Sequence, residues 1–281
     1  MASMQHLAAM PLALVRASHP FPALTVTAVA TGLAATSGRA AEDLMTVAAA
    51  VLAGQLSVGW LNDLVDAPRD IRVGRADKPV ATGELPRSVV LVGVLVSALA
   101  AVVLSLPSGV LATAAHLAAL GSAWAYDLGV KASALSVLPY AVSFGLLPVF
   151  VVLGLPGAPL PPAWLVLASA SLGCAAHFAN VLPDIDDDLA TGVRGLPHRL
   201  GATGSHVAAA SLVLAASMLL VLGPPGAVSG TGLVALPTAV LVIAVGLVMG
   251  RRPGSPAAFH AVLLVALIDV ALLLTAGMQL N

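Results

Sequence analysis

The sequence predicts an all-α, polytopic membrane protein, nine transmembrane helices in one bundle with two pseudo-repeated Asp-rich motifs at its cytoplasmic face. Three observations carry that reading. First, 59% of the 281 residues are hydrophobic and only 9% are charged, with a mean hydropathy of +1.01; soluble domains run near half apolar and about a quarter charged. Second, the apolar residues fall into runs of the length a helix needs to cross a hydrocarbon core, about 20 residues. Third, the few charges are clustered, with 7 of the 13 acids lying within 63–70 and 184–188.

In chain order the apolar runs span roughly 20–37, 44–61, 87–106, 110–126, 132–154, 162–181, 205–222, 231–249 and 257–279. Breakers separate them, among them Ser37-Gly38, Pro107-Ser108-Gly109, Pro224-Pro225-Gly226 and the segment from Arg251 to Pro256. The runs are long, rich in Ala and Leu, and do not alternate, which excludes membrane strands. Arg16 precedes the first run, which continues to full length, so a first spanning helix is expected rather than a cleaved leader. In the third run Gly93, Ser97 and Ala101 recur every fourth position, a small-residue stripe suited to close helix packing. Trp60, Trp124 and Trp164 read as interface or core packing. Cys174 is the only cysteine, which excludes an internal disulfide and a paired-cysteine metal or redox site.

Nine spans fix the sidedness. One face receives Arg16, Arg69, Arg72, Arg75, Lys78, Arg87, Lys131, Arg194, Arg199, Arg251 and Arg252, and the other receives Arg39 alone. Eleven of the twelve basic residues on one face mark it as cytoplasmic. The N-terminus is then cytoplasmic, the C-terminus opposite, and the location a multi-pass cell membrane. Arg72, Arg87, Arg251 and Arg252 read as topology and headgroup residues, with Arg16 open between that role and the site.

The two charged stretches are versions of one module. NDLVDAPRDIRVGRADKPVATG (62–83) and NVLPDIDDDLATGVRGLPHRLG (180–201) superpose on sliding the chain by 118 positions, matching Asn62 with Asn180, Asp66 with Asp184, Asp70 with Asp188 and Gly74 with Gly192. Asp63, Asp66 and Asp70 would share a helix face, but Pro68 is expected to end the span and leave Asp70 in a turn or short helix beyond it. Carboxylates held this close repel unless cations lie between them. Hard oxygen ligands at this spacing suit Mg²⁺, which binds through one or two carboxylates plus phosphate oxygens. Arg75, Lys78, Arg194, Arg199 and Lys131 would grip phosphate oxygens, and apolar walls beside them would hold a hydrocarbon chain. A lipid diphosphate has both parts. No nucleic-acid partner is expected.

NDLVDAPRD followed by RADKPVATG, and DIDDDLATGVRGLPHRLG, resemble the two signatures of the UbiA superfamily of intramembrane prenyltransferases. The resemblance covers essentially the whole chain as a single domain (1–281), with Asp-rich loops at 62–86 and 180–204. It implies Mg²⁺-dependent transfer of a prenyl group from an isoprenyl diphosphate to an acceptor that the sequence leaves unidentified. By the motif matches, Asn62, Asp63, Asp66, Asp70, Asp184 and Asp188 hold the Mg²⁺–diphosphate, with Asn180 on the diphosphate side, and Tyr126 and Lys131 in AYDLGVK face the same pocket. Departures from the family pattern are Val181, Asp187, Leu189 and Gly195 in the second motif and Lys78, in place of Arg, in the first. They leave the catalytic set complete and put any difference on the acceptor side. With 4% aromatic residues, few rings are expected near a developing carbocation.

Rival readings are a transporter of an anionic substrate, a terpene cyclase on the same scaffold, and a phosphotransferase using CDP-linked alcohols, whose Asp-Gly-x-x-Ala-Arg element is absent. Asp269, inside the ninth run, reads either as an acceptor contact or as a carboxyl paired with a neighbouring hydroxyl or His. His177 reads as a satisfied core histidine rather than a base, and His116 and His260 as structural.

Overall fold

The computed structural model describes residues 2–250 and 256–278. Among these residues there are no strands. The α-helices in order are α1 (Ala2–Ala17), α2 (Pro20–Thr36), α3 (Ala41–Arg72), α4 (Arg87–Ser105), α5 (Val110–Asp127), α6 (Leu138–Leu153), α7 (Ala163–Val181), α8 (Ile185–Ala190), α9 (Leu196–Leu222), α10 (Gly230–Met249) and α11 (Ala257–Gly277). The nine apolar runs coincide with α2 to α7 and α9 to α11. Six of these, α3, α4, α7, α9, α10 and α11, are long and apolar enough to cross a membrane. The apolar α2 and α6 are shorter, at 17 and 16 residues. Arg251 and Arg252 lie outside the described residues.

The helices pack into two half-cores. Ala30, Leu33, Val47, Val51, Ala112 and Phe150 bury one junction among α2, α3, α5 and α6. Phe178, Ala210, Val213, Ile243 and Val265 bury another among α7, α9, α10 and α11. The small-residue stripe of α4 packs against α3: a Cβ on Gly93 would stand 3.0 Å from the Trp60 ring, and Ser97 and Ala101 are buried. The opposite face of α4 leaves Leu91, Leu95 and Leu99 exposed, the composition of a lipid-facing surface.

The module ends differ from expectation at Pro68. Instead of stopping there, α3 continues unbroken to Arg72, a helix of 32 residues or about 48 Å, so Asp70 is helical and not in a turn. A proline in a helix removes one N–H and strands the carbonyl four residues earlier. Here that carbonyl, Leu64 O, accepts from the Arg87 guanidinium at 3.3 Å, so Arg87 supports the helix it was expected only to flank. Pro183 acts otherwise. After α7 the chain makes a 3₁₀ turn over Leu182–Asp184 before α8 begins. The seventh apolar run is likewise longer than expected, because α9 starts at Leu196 and kinks at Gly201.

The sequence repeat is also a backbone repeat. Asp70 O accepts from Arg75 N–H at 3.0 Å, and 118 positions later Asp188 O accepts from Val193 N–H at 2.9 Å. Between them Gly74 N–H bonds Ile71 O at 3.3 Å and Gly192 N–H bonds Leu189 O at 3.2 Å. This paired closure needs a left-handed residue just past the helix, which Gly74 (φ 69°) and Gly192 (φ 87°) supply. Gly83 and Gly201, at the same spacing, are left-handed as well.

At the other edge of the site, α1 and α2 are joined through Ser18 and His19. His19 is left-handed (φ 53°, ψ 64°) although it is not glycine and precedes a proline. The turn rests directly on α3, because a Cβ added at Gly59 would fall 2.2 Å from the Ser18 carbonyl oxygen. Gly59→Ala is therefore expected to destabilise the fold by the ~1–3 kcal/mol typical of overpacking against backbone, read as a lower thermal unfolding midpoint in detergent. An unchanged midpoint would contradict this packing.

Candidate active site

The last three turns of α3 carry the first acidic cluster. Asp63, Asp66 and Asp70 are all buried, on one helix face. Asn62 Nδ2 donates to Asp66 Oδ2 at 3.2 Å and to Asp127 Oδ1 at 2.9 Å, joining α3 to the end of α5. Lys131, from the turn after α5, pairs with Asp66 Oδ1. Lys78 Nζ stands 3.4 Å from Asp63 Oδ1, an ion-pair distance without hydrogen-bond alignment, while Val80 N–H donates to Asp63 Oδ2 at 3.3 Å.

Two arginines of the first module reach across to the second. Arg69 lies 3.3 Å from Asp66, 3.7 Å from Asp70 and 3.1 Å from Asp188. Arg75 makes a forked pair with Asp77, at 2.8 and 2.9 Å, and stands 3.5 Å from Asp184. His198 Nε2 approaches Asp188 Oδ2 at 3.1 Å. The two acidic modules thus meet at one end of the bundle. The forked hydrogen bonds from Arg75 hold the Asp77 carboxyl down at about 2. Burial pushes the Asp188 carboxyl up, against the opposing pull of Arg69 and His198.

Beneath the acids lies a ring cluster larger than the aromatic content suggested. Tyr126 meets Tyr140 edge-on with centroids 5.2 Å apart and His177 at 5.6 Å; Tyr140 lies 4.9 Å from His177 and 6.1 Å from Phe144. Both tyrosines of the chain are in it. His177 is only half satisfied: Nε2 pairs with Ser136 Oγ at 3.0 Å, and Nδ1 is buried without a hydrogen-bond partner. Ser136 in turn accepts from Leu196 N–H at 2.9 Å, fixing the start of α9.

Other expected site residues are not in the cluster. Arg194 and Arg199 are exposed, Arg199 Nε donating to Arg194 O at 3.2 Å, and among the described residues neither pairs with Asp184 or Asp188. Both lie on the outer side of the turn that Gly192 closes and on the first turn of α9. Asn180 is also exposed, and Nδ2 reaches only the Tyr140 hydroxyl at 3.5 Å; the 3₁₀ turn after α7 breaks its register with Asp184. Arg16 pairs with Glu84 at 2.9 Å at the edge of the site. Asp269 is fully buried and accepts from Ser217 Oγ at 2.6 Å, the hydroxyl partner allowed for. His116 is structural, stacked 4.7 Å from Phe150 and paired with Ser105.

Four residues of the cluster were not singled out for it: Arg69, Asp127, His198 and His19. Arg69 and Asp127 adjoin residues that were, Asp70 and Tyr126, while His198 and His19 carry no signal in spacing.

The oxygen chemistry fits a hard cation. Asp63 Oδ1, Asp70 Oδ2 and Asp127 Oδ2 are buried carboxylate oxygens without a hydrogen-bond partner, groups that a folded protein rarely leaves unserved unless water or an ion completes them. Among the described residues no three His, Cys, Asp or Glu side chains form a ready cage. Mg²⁺ does not require one, since it takes one or two carboxylates and fills its shell with water and phosphate oxygens. A narrow cavity of about 40 Å³ among α2, α3, α5 and α6 begins at Val58, one turn from Asn62, and is walled by Val26, Val51, Leu120, Phe144 and Leu147. A larger one of about 240 Å³ lies among α9, α10 and α11; neither wall contains an acid, and it is Val58 on α3 and Phe144 of the ring cluster that put the smaller cavity beside the site.

An all-helical bundle with six helices long and apolar enough to cross a membrane, and two acidic modules joined through arginine at its polar end, defines a multi-pass membrane protein. The chain belongs to the UbiA prenyltransferase family, whose model matches residues 23–276. No curated protein matches it significantly. Among solved structures, a UbiA homologue from Archaeoglobus fulgidus bound to GPP and Mg²⁺ is similar at 16% identity and a TM-score of 0.70, over 95% of this chain and 99% of that one. An apo UbiA homologue from Aeropyrum pernix is 20% identical with a TM-score of 0.69, over 88% and 96%. A structure described for digeranylgeranylglyceryl phosphate synthase is 16% identical with a TM-score of 0.71, over 98% and 99%.

Two outcomes test this geometry. Arg69→Gln leaves Asp70 and Asp188 facing each other without their shared cation, and should destabilise the fold by about 1–3 kcal/mol, read as a lower unfolding midpoint, while the exposed Arg72→Gln should leave the midpoint unchanged. Burial, and then Lys78, lower the His19 pKa from 6.5 to about 4. A histidine whose folded pKa is depressed contributes stability that is whole above 6.5 and lost as pH falls towards 4. The wild-type midpoint should therefore drop over that window more steeply than that of His19→Gln, measured by thermal unfolding in detergent.

Proposed function

We propose that the chain transfers a prenyl group from an isoprenyl diphosphate to an acceptor within a cell membrane, with Mg²⁺ as cofactor. Nine spans would place the acidic end and the N-terminus on the cytoplasmic side and the C-terminus opposite. The observation that carries the reading is the meeting of Asp66 and Asp70 with Asp188 across Arg69, with Arg75 reaching Asp184 beside it, in a chain of the UbiA family. Clustered acids at one end of the bundle, rather than half-way along interrupted helices, favour an enzyme over a transporter.

In this reading Asp63, Asp66, Asp70, Asp184 and Asp188 hold the metal, and Asn62 orients Asp66 and Asp127. Bound there, Mg²⁺ supplies charge neutralisation for the leaving diphosphate. Arg69, Arg75, Lys78 and Lys131 already sit on the carboxylates, and the same donors would turn to the diphosphate oxygens as negative charge builds on them, lowering the barrier to breaking the allylic C–O bond. Arg194, Arg199 and Asn180 are left to the rim. Tyr126, Tyr140 and Phe144 offer ring faces to the allylic cation, and the cavity beginning at Val58 would take the start of the hydrocarbon tail and keep water away.

With labelled geranyl diphosphate as donor in membranes, Asp66→Ala and Asp188→Ala should each lower turnover by about 10²–10³, the scale of losing a preorganised charge stabiliser. Chelating the divalent cations should abolish transfer and added Mg²⁺ should restore it. Turnover near wild type in either variant, or indifference to the chelator, would reject the assignment.

A further inference from the structure

We infer that His19 is a positioning residue for Lys78, holding its ammonium at the acidic cluster from the loop between α1 and α2. Lys78 Nζ and His19 Nε2 are 3.0 Å apart. An ammonium can only donate, so Nε2 is the bare acceptor and the ring proton sits on Nδ1. The same Nζ faces Asp63 at 3.4 Å without hydrogen-bond alignment. His19 is thus the aligned partner of a lysine whose other neighbour is an ion-pair contact only. The side chain of Lys78 is 12% exposed, so little water competes for its remaining donors.

The backbone was built for this contact. His19 is a left-handed, non-glycine residue ahead of Pro20, a conformation that persists only where the surroundings impose it and that gathers at functional sites. Gly59 lets the turn close on α3, with the Ser18 carbonyl in the space a Cβ would need. Gly59 lies one helical turn before Asp63, so the turn delivers the imidazole beside the first carboxylate of the module. Burial keeps that imidazole neutral, as an acceptor must be.

The inference rests on the proposed diphosphate site for its functional meaning, and two readouts keep them apart. His19→Gly suits the left-handed backbone but removes the acceptor; His19→Gln restores an acceptor at similar reach. In detergent with Mg²⁺, His19→Gly should bind geranyl diphosphate about tenfold more weakly than wild type, the size of one hydrogen bond to a charged group, while its unfolding midpoint stays level or rises. His19→Gln should recover most of the affinity. His19→Gly combined with Lys78→Met should bind no more weakly than Lys78→Met alone. Unchanged affinity in His19→Gly, or losses that simply add in the double variant, would overturn the pairing. Should wild type bind no prenyl diphosphate, the diphosphate reading fails, and the same four proteins compared by unfolding midpoint decide the pairing: coupled midpoints support it and additive ones overturn it.

Discussion

Arg69 is the constraint on which the site depends. Its guanidinium touches Asp66 and Asp70 on its own helix and Asp188 on the other module. Without such a cation the two modules would present buried like charges to each other, at a cost that grows as the local dielectric falls. The half-core around α3 and the half-core around α7 are therefore joined at their polar end by charge, and elsewhere by apolar packing. The planar fork suits three carboxylates better than an ammonium would, which gives a reason for arginine at this position of the first motif.

Around that centre the bases fall into an inner and an outer set. Arg69, Arg75, Lys78 and Lys131 sit on carboxylates; Arg72, Arg194 and Arg199 are exposed, and Arg72 and Arg199 donate to backbone carbonyls. The division follows from helix geometry. Lys131 comes from the turn after α5, and Lys78 from the loop folded back over α3, so both are aimed inward. Arg194 and Arg199 flank the start of α9, on the outside of the second loop.

Much of this was legible in the residues. Apolar runs located α2 to α7 and α9 to α11, because a membrane demands unbroken apolar length, but not α1; the repeat of Asn, Asp and Gly at 118 positions marked one module used twice, and the backbone closes both copies alike. What was not legible depended on partners distant in sequence. Pro68 reads as a helix end unless Arg87, nineteen positions on, is known to take the freed carbonyl. Composition suggested few rings at the site, yet it does not say where rings go, and Tyr126, Tyr140, Phe144 and Phe178 gather around one histidine. His19 lies before the first motif begins, and only folding brings it to Lys78.

The twin closures after Asp70 and Asp188 have an electrostatic corollary. Each acid stands in the final turn of its helix, at the negative end of the helix dipole, although the closure itself serves the carbonyls of Asp70, Ile71, Asp188 and Leu189. The main chain thus deepens the negative potential already set by the side chains, from both modules at once. In the proposed reading, a bare diphosphate at this mouth would meet repulsion from helix dipole and carboxylate together, and one neutralised by divalent cations would not. Were the site to take a prenyl diphosphate, the way the two helices stop would favour its metal salt over the naked anion.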